Sequence, residues 1–144
     1  MRVSKECIFC RIVAGEVPCT KIFEDDSILA FMDIAPLNKG HFLVIPKEHY
    51  GNILETPPDL YGRLASMVAI IARVVQETVS PDGMNFMQLN GKAGNQVVPH
   101  LHMHLVPRWV EDGLTICAWE PIMGDIKDIS ATAEKIKSKL SLQR

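Results

Sequence analysis

The chain has 144 residues, 47% of them apolar, with 17 acidic and 15 basic side chains and five histidines, which gives a formal charge of −2. A chain of this length buries about 70% of its unfolded surface, enough for one core without a staple and too little for two independent domains. The near-neutral balance excludes a nucleic acid polymer as the main partner, because counterion release rewards a basic face and no Lys/Arg cluster is present. No apolar run reaches the ~18 residues of a membrane span, and Met1 to Glu6 lacks the apolar stretch of a signal peptide, so a cytoplasmic protein with no membrane partner is expected.

In chain order, Lys5 to Ala14 reads as a short helix, with Ser4 as its cap and Gly15 and Pro18 as its stop. Strands are expected over Thr20 to Glu24 and Ile28 to Ile34, around an Asp25-Asp26 turn, and over His41 to Ile45. The clearest helix runs from about Pro57 to Val79, where Leu60, Leu64, Met67, Val68, Ile71, Val74, Val75 and Val79 recur at three- and four-residue spacing. Thr56 stands as its cap, and Asp59 complements the positive end of its dipole. Strands follow over Met84 to Leu89 and Val98 to Val106, separated by a polar loop from Gly91 to Gln96. The last element is an amphipathic helix with Ile129, Ala133, Ile136 and Leu140 on one face.

Two patterns carry chemistry. Cys7-Ile-Phe-Cys10 has metal-ligand spacing, and in a reducing compartment a metal is favoured over a disulfide; a redox pair and two inert buried thiols are the rivals. Cys19 and Cys117 have no comparable partners and read as small core residues. In Pro99-His100-Leu101-His102-Met103-His104-Leu105-Val106, histidines alternate with apolar residues. Period two puts His100, His102 and His104 on one face of a strand and Leu101, Met103 and Leu105 on the other. Three clustered imidazoles signal a site, either joint ligands of a hydrolytic metal or a nucleophile with supporting groups.

This segment resembles the signature of the histidine triad family of nucleotide hydrolases and transferases. Asn90-Gly91, Gly94-Asn95-Gln96, the segment from Phe31 to Pro36 and the segment from Gly40 to His49 are similar to the rest of its pattern, over roughly Cys7 to Arg108. The tail after Trp109 lies outside it, so the expected organisation is one domain over 1–144 with a C-terminal extension from about 109. The resemblance implies an α+β fold: an antiparallel sheet of about five strands, one long helix, and short N- and C-terminal helices.

It also implies that His102 is a nucleophile attacking the α-phosphorus of a purine nucleotide conjugate, through a nucleotidyl-histidine intermediate, with His104 assisting catalysis. Dinucleoside polyphosphates and nucleoside phosphoramidates are the substrate classes. Asn90 and Gln96 are expected at the phosphate, Asp33 at the ribose, and Phe9, Ile12, Phe31 and Leu43 around the base. A zinc-binding subset of the family resembles Cys7, Cys10, His49 and His100, two thiolates and two imidazoles that would close a structural zinc site. Such a closed site weakens the metallohydrolase reading of the triad. Members of this branch form homodimers, and the long helix is a candidate contact surface. Val97 departs from the pattern, which often has a hydroxyl there for the leaving group, and this puts efficient phosphorus–nitrogen cleavage in doubt. A non-catalytic nucleotide-binding protein is the alternative from another class.

Overall fold

The computed structural model describes residues 1–116 and 119–143. They form two compact units, 1–114 and 115–144. The first contains α1 (Ile8–Val13), β1 (Lys21–Glu24), β2 (Ile28–Met32), β3 (Phe42–Pro46), α2 (Pro58–Val79), β4 (Gly83–Gln88), a single 3₁₀ turn at Lys92–Gly94, and β5 (Met103–Arg108). The second contains α3 (Ile126–Ser141), capped by Asp125, whose Oδ1 accepts from the Lys127 N–H at 2.8 Å. The expectation that Cys117 is a core residue lies outside the described residues. None of the described helices is long and apolar enough to cross a membrane.

The five strands make one antiparallel sheet in the order β1-β2-β3-β5-β4. Strand alternation divides the core in two. Ile28, Ala30, Phe42, Val44, Leu101, Met103 and Leu105 face α2 through Leu64 and Val68. Leu29, Phe31, Leu43 and Ile45 face the other way, where Phe9, Cys7 and Cys10 of the N-terminal segment cover them. Both faces of β2 and β3 are therefore buried, which accounts for their nearly continuous apolar sequence where a half-exposed strand would alternate. Since Leu101, Met103 and Leu105 point at α2, the intervening histidines are delivered to the α1 face.

Several boundaries differ from those read in the sequence. The first helix starts at Ile8, with the Cys7 sulfur accepting the Cys10 N–H at 3.4 Å, so Cys7 takes the capping position expected of Ser4. Thr56 does not cap α2: its hydroxyl donates to the Asn52 carbonyl at 2.9 Å, and Pro57 occupies the cap with no side-chain bond. The regular part of the histidine strand begins only at Met103 and runs through Pro107 to Arg108. Ahead of it the backbone is irregular, with the His100 N–H on the Val98 carbonyl and the Leu101 N–H on the Tyr50 carbonyl. Pro107 lies past the last β3 pair, Phe42 with Leu105, so no ladder bond to that strand needs its missing N–H.

Candidate active site and metal cluster

The α1 face of the sheet carries two groups of polar side chains that meet at the histidine segment. In the first, Cys7 and Cys10 on the N-terminal segment converge with His49, just beyond β3, and His100. All four donor atoms lie within 4.8 Å of one another. The Cys7 Sγ to His100 Nδ1 distance is 3.4 Å, Cys10 Sγ to His49 Nδ1 3.3 Å, Cys10 Sγ to His100 Nδ1 3.7 Å, and His49 Nδ1 to His100 Nδ1 3.2 Å. A tetrahedron with Zn–S and Zn–N bonds of ordinary length has S···N edges of about 3.6 Å and an N···N edge of about 3.3 Å. The donor set and its spacing fit that ion.

The surroundings fit it too. The Ser4 N–H points at Cys10 Sγ at 3.5 Å and the Cys10 N–H at Cys7 Sγ at 3.4 Å, both suited to thiolates. Burial pushes the Cys10 thiol up, so a neighbouring cation is what would keep it ionised. His100 Nε2 donates to the Pro46 carbonyl at 2.9 Å, which fixes the tautomer and aims the Nδ1 lone pair at the cluster. This imidazole is fully buried, and burial lowers its pKa to about 4.

The second group is His102, His104, His41 and Asp33. His102 Nδ1 donates to the His100 carbonyl at 2.7 Å, so in the neutral ring the lone pair sits on Nε2. Burial lowers its pKa and keeps the ring neutral near pH 7. Its ring packs edge-on against Phe9 at 5.1 Å and against His104 at 4.7 Å between centroids.

His104 is oriented by a residue that the sequence reading left without a role. The Leu37 N–H donates to His41 Nδ1 at 3.1 Å, which places the His41 proton on Nε2, 3.0 Å from His104 Nδ1. His104 Nδ1 accepts, so its own proton is on Nε2. Burial is the main cause that lowers His104 to about 4, helped by His102 and His41. The signal for His41 was its place immediately before the apolar run of β3, where a buried imidazole needs a partner; its side chain is 2% exposed. Asp33 Oδ2 lies 3.4 Å from His41 Nε2, while Oδ1 accepts the Ala35 N–H at 2.8 Å.

Of the other sequence candidates, Phe9, Phe31 and Leu43 are buried in the α1-face cluster, with Ile12 packed against it. Phe9 meets Phe31 edge-on at 5.7 Å. Asn90 and Gln96 hold the loop after β4. Asn90 Oδ1 accepts the Ile53 N–H at 2.8 Å. Gln96 donates to the Gly51 and Val98 carbonyls and accepts the Gly91 N–H. The same loop leaves Val97 84% exposed. A cavity of about 320 Å³ bordered by Glu6, Cys7, His49 and Val97 opens beside the metal cluster rather than against His102. Cys19 is partly buried against the α1-face cluster.

Chemically, the arrangement offers one imidazole nitrogen with a free lone pair, a neutral imidazole N–H beside it, and a closed four-donor cluster. The HIT domain family is matched over residues 14–110. A relative in Schizosaccharomyces pombe named adenosine 5'-monophosphoramidase is 38% identical over 135 residues, covering 93% of this chain and 98% of its own. The crystal structure of a HIT family protein from Bacillus anthracis superposes with a TM-score of 0.89 at 35% identity, over 95% of this chain and 99% of that one. A zinc-bound histidine triad family protein from Mycobacterium smegmatis matches with a TM-score of 0.73 at 39% identity, over 81% and 84% of the two chains.

Proposed function

The chain belongs to the HIT domain family, and from that premise we propose that it is a nucleotide hydrolase acting at the α-phosphate of purine nucleotide conjugates. The observation that carries the reading is the hydrogen bond from His102 Nδ1 to the His100 carbonyl, which leaves Nε2 as a free nucleophile in a ring kept neutral by burial. His102 Nε2 attacks the α-phosphorus, an N–P bond forms, and the bond to the leaving group breaks. Water then displaces the imidazole and releases the nucleoside monophosphate. The His104 Nε2–H, set by His41, donates to a phosphate oxygen as charge builds, and donors of this kind each lower the barrier by a few kcal/mol. Asn90, Gln96 and the loop between them shape the phosphate end. Asp33 takes the ribose hydroxyls, and Phe9, Ile12, Phe31 and Leu43 make the base slot.

Zinc is the ion we assign to Cys7, Cys10, His49 and His100, as a structural metal. It would tie the N-terminal segment to the base of the histidine segment, and its four protein donors leave no open position for a hydrolytic water. The cytoplasm suits this reading, since both thiols must stay reduced to bind the ion. A homodimer with α2 at its contact surface completes the proposal; Ile70 and Val74 on that helix are more than half exposed.

Steady-state kinetics on adenosine and guanosine phosphoramidates, dinucleoside tri- and tetraphosphates and nucleotidyl sulfates test the activity, with His102→Ala as the control. Turnover that depends on His102, with a nucleotidyl-protein adduct in acid-quenched samples, is the expected result. Nucleotide binding with no turnover on any member of the panel would replace the hydrolase with a binding protein.

A further inference from the structure

We propose that Asn38 is a positioning residue for the active-site histidines: its side-chain amide latches the turn between β2 and β3 onto the Arg108–Asp112 pair and thereby holds the Leu37 N–H on His41 Nδ1. The inference rests on the roles given above to His102 and His104.

The Leu37 N–H on His41 Nδ1 favours the tautomer that His104 reads, and the Asp33 carboxylate 3.4 Å from His41 Nε2 acts in the same direction. Leu37 itself is partly exposed, at 44%. The adjoining turn is what is anchored. The Asn38 carbonyl accepts the His41 N–H at 3.1 Å, and Gly40 at the third position of this turn has φ +88°, a conformation that glycine adopts without strain. A Cβ on Gly40 would lie 3.1 Å from Pro107 Cγ, so the turn sits directly on β5.

Asn38 Nδ2 donates to the Pro107 carbonyl at 3.0 Å and to Asp112 Oδ2 at 2.8 Å. Both partners are acceptors, which dictates the amide orientation. Asp112 is itself fixed by Arg108 Nε and Nη2 at 2.8 and 2.9 Å and by the N–H groups of Trp109 and Leu114. These donors, Arg108 first, hold its carboxyl well below the usual carboxylate range. An acceptor on the β5 side, itself held by four donors, therefore grips the residue next to Leu37. If the turn loosens, the Leu37 N–H leaves His41 Nδ1, that nitrogen can take the proton, and His104 loses the donor that reserved its Nε2–H for phosphate.

The test uses the full chain with Asn38→Ala and Asn38→Asp. Asp112 keeps its four other donors in the first variant, so the fold survives, while the second is nearly isosteric and puts a carboxylate against two acceptors. Long-range ¹H–¹⁵N spectra of the histidine rings read the tautomers directly, and hydrogen exchange reads the Leu37 amide. The expected result is mixed His41 and His104 tautomers, faster Leu37 exchange, and a kcat on adenosine phosphoramidate lower by on the order of tenfold with KM within about twofold. Unchanged tautomers and Leu37 exchange in both variants would overturn the proposal. Mixed tautomers with unchanged kcat would leave the latch standing and remove instead the donor role of His104.

Discussion

Acid should destabilise this protein through His104, and a His104→Gln variant isolates the effect. Burial, helped by His102 and His41, holds the native imidazole at about 4 against an ordinary value of 6.5. The unfolded chain therefore binds a proton between those values that the native protein refuses, and stability is lost as pH falls through 6.5 towards 4. The integrated difference is about 2 kcal/mol at pH 5 and about 3 kcal/mol at pH 4. That is a large share of the ~5–15 kcal/mol that holds a domain of this size together. Glutamine keeps an acceptor near His41 Nε2 but does not titrate. His41, His100 and His102 titrate in both proteins and cancel in the comparison to first order. Urea unfolding at about pH 7 and about pH 5 reads the result: wild type should lose about 2 kcal/mol more than the variant over that interval. Parallel losses would mean that the native His104 titrates normally, and the argument for a neutral, tautomer-locked donor would fail with it.

The remaining predictions concern the nucleophile, the metal and the leaving group. His102→Ala should lower kcat by at least on the order of 10⁴-fold and abolish the nucleotidyl-protein adduct while nucleotide still binds, as calorimetry would show. Cys10→Ser should reduce the zinc-to-protein ratio of purified protein towards zero and lower the melting temperature; an unchanged ratio would remove Cys10 from the ligand set. Val97→Ser places a hydroxyl on the exposed loop beside the histidine segment. It should raise kcat on phosphoramidates by about tenfold or more relative to dinucleoside polyphosphates, and an equal effect on both would separate position 97 from leaving-group protonation.

How far the sequence foretold this structure depended on the range of the interactions involved. The periodicity of α2 and the apolar runs of β2 and β3 report burial directly, and those elements start or stop within two residues of expectation. In the cluster of Cys7, Cys10, His49 and His100, the two thiols were legible from C-x-x-C spacing, whereas His49 and His100 came from the family resemblance. Caps were misread because the deciding bonds were elsewhere: the Thr56 hydroxyl went to Asn52, and a sulfur took the place of Ser4. Period two placed three histidines on one face, yet it could not show that only His104 lies within the regular strand. His41 and Asn38 were missed for a related reason. What each of them reaches, His104 for His41 and Pro107 and Asp112 for Asn38, lies 63 to 74 residues away along the chain.

Three histidines of one short segment carry different chemistry because each has its second ring nitrogen committed to a different partner. His100 gives its Nε2 proton to the Pro46 carbonyl and so offers Nδ1 to the thiol cluster. His102 gives its Nδ1 proton to the His100 carbonyl and so presents Nε2. His104 accepts on Nδ1 from His41 and so keeps a proton on Nε2. Two of those partners are main-chain carbonyls, and the third is an imidazole held by the Leu37 N–H. Tautomer choice is thereby written into the backbone. On the proposed function, a net charge of −2 is no obstacle to holding one nucleotide, since neutral imidazoles and amides would meet the phosphate. Neutral donors aimed in advance can stabilise a developing phosphoryl charge without the lysines and arginines that binding a nucleic acid polymer would demand.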